Sequence, residues 1–334
     1  MIACGGCGAA TSLELGARGA FEKRGFRLVG TIHAVSAAGG HWHEWRASLE
    51  GGGEAWIAEA SGNYFWMREG ALASFESAKP GGSFAPDFVV TERGRATRVS
   101  KSGELEPAPE TYDYVDLSGP RGAFASVDYG EDPARTFVGR RVTLSELGLA
   151  PRAGARSFLS ASGPEFASLL APGMTVTVGG ASFTVLGALA RSGYEKGNKK
   201  DRWRWEEYLL WRETLGIRWL VLADGHWNVA TPIDAADVHD EGRECVYGKT
   251  AFRRLGEGVA RIDAAIGQFP WEVRAGQEAA TTDWVHAPSM LSRETTDDEV
   301  AWSLLTYLEP KQVARALGTT DLPKRHGRAP NQPR

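Results

Sequence analysis

The chain is poor in cysteine, in long apolar runs and in surplus positive charge. Three cysteines in 334 residues (Cys4, Cys7 and Cys245) cannot build a disulfide framework, which points to a reducing, cytoplasmic setting. No stretch of about 18 apolar residues occurs, so no transmembrane helix is expected. The opening segment MIACGGCGAATSLELGARGAF lacks the apolar core of a secretory signal. Lys and Arg number 38 against 42 Asp and Glu, for a net charge of −4, which argues against a nucleic-acid surface. Several catalytic signatures are missing as well. There is no G-x-S-x-G elbow and no H-E-x-x-H helix. None of the Gly-rich pieces GGCG, AAGGH, GGGE and KPGGS follows a strand and opens a helix, as a phosphate loop must, so they read as turns.

What the chain does contain is one motif twice. Gly16, Phe26 and Gly30 fall on Gly173, Phe183 and Gly187 at one constant offset. After a longer loop in the second copy, Trp42, Glu44, Trp45, Trp56, Gly62 and Tyr64 fall on Trp205, Glu207, Tyr208, Trp219, Gly225 and Trp227 at a second constant offset. Two fixed offsets separated by one insertion indicate two copies of one unit. The unit reads as antiparallel β-sheet. MTVTVGG alternates as a half-buried strand does, ASFTVLGAL follows a Gly-Gly turn, and Asp224-Gly225 is a hairpin dipeptide. A weaker echo aligns Gly267–Phe269 with Gly122–Phe124.

The expected fold class is therefore mostly β with a few short helices, as tandem duplicated antiparallel sheet or small-barrel-like modules. A C-x₂-C remnant occupies 1–12, and the first module 13–150, with a Gly- and Pro-rich insert at 71–110. The second module occupies 151–318, and a Pro-rich, basic, disordered tail 319–334. Short helices are expected at 142–149 and 163–171, and the best helical stretch at 296–317, where Asp297 and Asp298 suit a start and Pro310 a second first turn.

Three groups of residues are candidates for function. The repeated Trp-x-Glu-aromatic (Trp42, Glu44, Trp45; Trp205, Glu207, Tyr208) puts Trp and Glu on one strand face and the next aromatic on the other. That pattern suits an aromatic platform with a carboxylate for amines or sugars. It equally suits a half-buried sheet whose Glu accepts an indole N–H. The loop RSGYEKGNKKDR is a local basic patch, with Lys196, Lys199 and Lys200 as contacts for an acidic partner or anionic lipid, or else a solvated hairpin tip. Cys4 and Cys7 are half of a zinc knuckle, so zinc is expected only if another chain completes it; no other cofactor is expected. His41 and His43 could chelate a metal, but their counterparts are Arg204 and Glu206, so they read as a solvated strand face. Trp205 and Trp219 are expected to be largely buried.

At these residues the chain resembles a bacterial family described as domain of unknown function 4178, in two tandem copies. The pattern is carried by Gly173, Phe183, Gly187, WEEYLL from Trp205, WL at Trp219, and Gly225 with Trp227. GQFPWEVRAGQEAATTDWVHAPSMLSRE and the W-S…Y-L pair at Trp302 and Tyr307 also resemble it. The resemblance implies no activity and no catalytic residues. It implies a link to envelope stress or polyamine-related membrane functions. The functional expectation is a non-enzymatic, cytoplasmic binding or adaptor protein with an unidentified protein partner, peripheral to the inner face of a membrane. The alternative expectation is a small-ligand module using the Trp/Glu clefts for a polyamine or glycan.

Overall fold

A computed structural model describes residues 13–60, 62–72, 79–85, 87–150, 158–195, 197–212 and 214–334, without the side chains of Lys199 and Asp201. The chain divides near Leu159 into two compact units; Pro270–Glu272 belong to the first.

Each unit is a closed antiparallel barrel of eight strands. The first is built from β1 (Arg24–Ser36), β2 (His41–Leu49), β3 (Glu54–Ala60), β4 (Asn63–Glu69), β5 (Phe88–Gly103), β6 (Thr111–Ser118), β7 (Ala123–Asp128) and β8 (Arg135–Val142). These form two four-strand meanders. β4 pairs with β8, and β1 pairs with β5, so no open edge remains among the eight. The second barrel repeats the plan with β9 (Ala181–Glu195), β10 (Asn198–Arg212), β11 (Gly216–Ala223), β12 (His226–Ile233), β13 (Thr250–Phe269), β14 (Glu278–His286), β15 (Ser289–Thr295) and β16 (Val300–Leu308). Its seams are β12–β16 and β9–β13.

Glycine permits closure at the same place in both barrels. Gly30 pairs with Gly103, and Gly187 with Gly267. Gly103 and Gly267 have φ of +82° and +86°, and a Cβ on either would collide with the carbonyl oxygen of Val29 or Leu186. The true counterpart of Gly267 is thus Gly103, not Gly122. The sequence echo misaligned the second meander because its strands share little beyond this glycine.

The strands are apolar on both faces. The outer face of β1–β4 buries Phe26, Leu28, Trp45, Ala47, Ile57 and Trp66 beneath Leu13, Phe21, Leu144 and Leu147. In the second barrel, Val185, Tyr208, Leu210, Leu220 and Trp227 are covered by Leu170, Val176 and α1 (Pro310–Leu317), through Val313 and Ala316.

The expected helices are corrected. Val142 ends β8 and residues 144–148 form a turn, and 163–171 carry no helix. Of 296–317, Val300–Leu308 is strand β16 and only α1 is helical. VAWSLLTYL alternates with a period of two, and its pairing with β12 and β15 outweighs the helix propensity of its leucines. Helix α1 has a capping box between Glu309 and Gln312, Pro310 in its first turn, and Gly318 in the left-handed region at its end. The tail 319–334 is not disordered. Leu322 packs against the cluster under α1, and the His326 N–H donates to the Asp224 carbonyl at 2.8 Å. Asn331, 1 % exposed, donates from Nδ2 to Asn228 Oδ1 at 2.8 Å and to the Pro288 carbonyl at 3.1 Å. Three anchors hold a strap that lacks an apolar face.

Candidate functional site

The inner face of each barrel carries a charged cluster among aromatic rings. In the first barrel, Ile32, Glu44, Ala58 and Phe65 share one cross-strand row, as do Arg46, Trp56 and Met67. Contacts between non-neighbouring strands show that this face points inward. The Trp42 ring on β2 lies 5.4 Å from that of Tyr114 on β6, although β1 and β5 intervene. Tyr112 Oη donates across the same gap to Glu44 Oε1 at 3.4 Å.

Trp42 and Glu44 do share a face, and so do Trp205 and Glu207, because i and i+2 on a strand point the same way. In both copies the indole N–H donates to the carboxylate, from Trp42 to Glu44 at 3.0 Å and from Trp205 to Glu207 at 2.6 Å. Trp45 and Tyr208 point to the outer face and are 2 % and 0 % exposed, in the outer cores. They are structural and take no part in the inner cluster. Trp205 and Trp219 are half-buried, less deeply than Trp45 and Tyr208.

Around each Glu stands a buried arginine: Arg98, which no motif marks, and Arg191, which the sequence places at the start of the basic loop RSGYEKGNKKDR. Arg98 on β5, 7 % exposed, forms an ion pair with Asp128 on β7 and lies 3.8 Å over the Tyr112 ring. Arg191 on β9 bridges Glu207, at 3.0 Å to both oxygens, and Glu294 on β15, at 2.8 and 3.1 Å. The two arginines occupy the same cross-strand pair from opposite strands: Ala34 pairs with Arg98, and Arg191 pairs with Ile262. A search for identical residues at matching positions misses this, because the cation has changed strands while keeping its place in space. In each barrel the arginine Nε is buried without an acceptor among the described residues.

A further acid completes each cluster. Asp116 lies opposite Ser126, and Asp283 opposite Ser292. Burial pushes the Asp116 carboxyl up to about 8, with Glu92 adding to the shift, and pushes Asp283 up to about 6. Burial also raises Glu44, against the pull of the Trp42 N–H and Arg98. Glu92 accepts a hydrogen bond from Tyr114 Oη. The first interior thus holds Glu44 and Asp128 near Arg98, with Asp116 and Glu92 beside one another. The second holds Glu207 and Glu294 on Arg191, with Asp283 near Glu294.

The histidines are not a solvated face. His33 is 1 % exposed, its ring stacks on His43 with centroids 4.6 Å apart, and its Nε2 lies 3.2 Å from His41 Nδ1. Burial lowers all three; the neighbouring imidazoles add to the shift at His33 and His43, which fall to about 4. No group of three or more His, Cys, Asp or Glu able to hold a metal occurs among the described residues. Cys4, Cys7 and Lys196 lie outside the described residues; Lys200 is exposed. Among the described residues no helix is long and apolar enough to cross a membrane, which does not bear on crossing by strands.

No curated protein and no solved structure matches the chain significantly. Residues 171–310, which run from the turns before β9 to the first residue of α1, match the model of DUF4178, a domain of unknown function.

Proposed function

We propose that the protein is a non-enzymatic binding protein of the cytoplasm, built from two DUF4178-type modules, whose barrel interiors take small organic ligands. One observation carries this reading. Both barrels keep a Trp–Glu–Arg–acid cluster on the inner face, although desolvating such charges costs more than an apolar filling would. That the first barrel is a second copy of the family domain rests on its identical strand order, its paired glycines and the shared cluster.

In the first barrel, the Glu44 and Asp128 carboxyl groups stand with the Arg98 guanidinium beside Trp42 and Tyr112, and Glu92 stands beside Tyr114. That is the chemistry of an ammonium ligand, with carboxylates for charge and ring faces for cation–π contact. A polyamine fits it. Calorimetry with spermidine tests the reading: binding should be measurable and should weaken at least tenfold in Glu44→Gln. No heat with spermidine, or equal binding by the variant, refutes it.

A second reading, an adaptor at an acidic partner or an anionic membrane surface, is favoured by the exposed Lys200 in the β9–β10 hairpin. Reversing the charge of Lys196, Lys199 and Lys200 together should abolish salt-sensitive binding to anionic liposomes while leaving the circular dichroism spectrum unchanged.

A further inference from the structure

The second barrel has a feature that the first lacks. Along the inner face of β10, exposure rises toward the β9–β10 turn. Leu209 is 0 % exposed, Glu207 13 % at its side chain, Trp205 partly exposed, and Trp203 47 %. Trp203 pairs with Gly193, two residues beyond the Arg191–Trp205 pair, so it continues the same face.

An indole this exposed usually flexes or packs on neighbouring side chains. Here its place is cut into the backbone. A Cβ on Gly193 would overlap the Trp203 ring, and one on Gly258 of the adjoining strand β13 would touch it at 3.4 Å. Two glycines on two strands thus let the ring lie across the sheet with one face to solvent. By the motif offset, Gly40 stands at the Trp203 position in the first barrel, and Ser36 at that of Gly193.

Next along the same face, at Arg191 two residues from Gly193 and at its partner Glu294, stand groups suited to hydroxyls. Glu294 keeps 37 % of its side chain exposed, and Arg191 is 7 % exposed with an Nε that has no acceptor among the described residues. Arg191 is bidentate to Glu294 and also holds Glu207, so both carboxyl groups are already engaged by one guanidinium.

We infer that this rim is a saccharide site. A pyranose ring stacks on Trp203, and its hydroxyls bond to Glu294 and Arg191. The inference rests on the ligand-binding reading above but assigns a different ligand to the second barrel. Burial of the apolar face of a sugar on an indole, with polar groups at its edge, is the ordinary form of such recognition.

The test is titration of the full chain with glucose and N-acetylglucosamine trisaccharides, following the Trp203 indole N–H resonance by NMR. That resonance is assigned by its loss in Trp203→Phe. At least one trisaccharide should shift it saturably, and Trp203→Ala should weaken binding at least tenfold with an unchanged fold. Gly193→Val, which displaces the ring but keeps it, should weaken binding too. Spermidine binding, which depends on Glu44, should be the same in Trp203→Ala as in the unsubstituted chain. If spermidine binds and no saccharide moves the resonance, the saccharide site is refuted and the ligand reading stands; if neither binds, both fall. Equal sugar binding by Trp203→Ala refutes the platform. So does concentration-dependent dimerisation that Trp203→Ala abolishes, which would make the ring a protein contact.

Discussion

Single residues in the interiors carry opposite pH dependences. Asp116 has a pKa near 8 in the folded chain against 3.8 for the free side chain. The folded state therefore holds a proton that the unfolded state has lost, and stability falls as pH rises from about 4 to 8. Asp116→Asn should remove that fall, making the variant about 2–4 kcal/mol more stable than the unsubstituted chain at pH 8 and little different at pH 4. His33 and His43 act the other way. Their folded values near 4 lie below the ordinary imidazole value of 6.5, so their contribution is complete above pH 6.5 and lost as pH drops toward 4. His43→Gln should flatten the acid limb and leave the alkaline limb alone. Urea midpoints measured from pH 4 to 9 check both. In the outer core, Trp45 is 2 % exposed, and Trp45→Ala should cost about 3–5 kcal/mol. A loss below ~1 kcal/mol would mean that its cover over β1–β4 is loose.

At the scale of elements, the barrel depends on its seams. β1 and β9 each pair with strands on both sides, and the Gly30–Gly103 and Gly187–Gly267 pairs let the backbones pass closely there. Gly267→Ala places a Cβ against the Leu186 carbonyl at a positive φ, so it should destabilise by about 2 kcal/mol or more, by collision and strain together. Gly216→Ala, at φ +68° with open space around it, should cost only the conformational part, about 1 kcal/mol. A chemical-denaturation comparison of the two variants separates collision from strain. The pattern in VAWSLLTYL shows why helix propensity misleads in such a protein. A strand that is apolar toward both the interior and an outer cover has the composition of a buried helix, and only its partners decide. The same doubling explains why Trp219 reads as core although it is partly exposed, while its counterpart Trp56 is 9 % exposed.

At the scale of the whole chain, the strap extends the second barrel past α1. Asn331 satisfies the Asn228 side chain and the Pro288 carbonyl from a segment with no hydrophobic periodicity. Asn331→Ala should leave Asn228 Oδ1 without that donor and cost about 1–3 kcal/mol. It should also raise amide exchange along 319–334 ahead of the barrel strands, which hydrogen exchange would read. An unchanged exchange pattern would mean that Leu322 and His326 alone hold the strap. The amino-acid order by itself determines the repeated motif, the β class, the alternation that puts Trp and Glu together, and the turns where glycine is required, because each is local or a comparison of the chain with itself. The tertiary structure alone decides that the sheets close and that Arg98 and Arg191, on non-equivalent strands, each reach the corresponding cluster of their own barrel. It alone decides that Trp203 lies against both Gly193 and Gly258, on two different strands, and that the tail docks. All of these rest on register between strands far apart in the chain, where side-chain pairing and burial, not local preference, set the geometry.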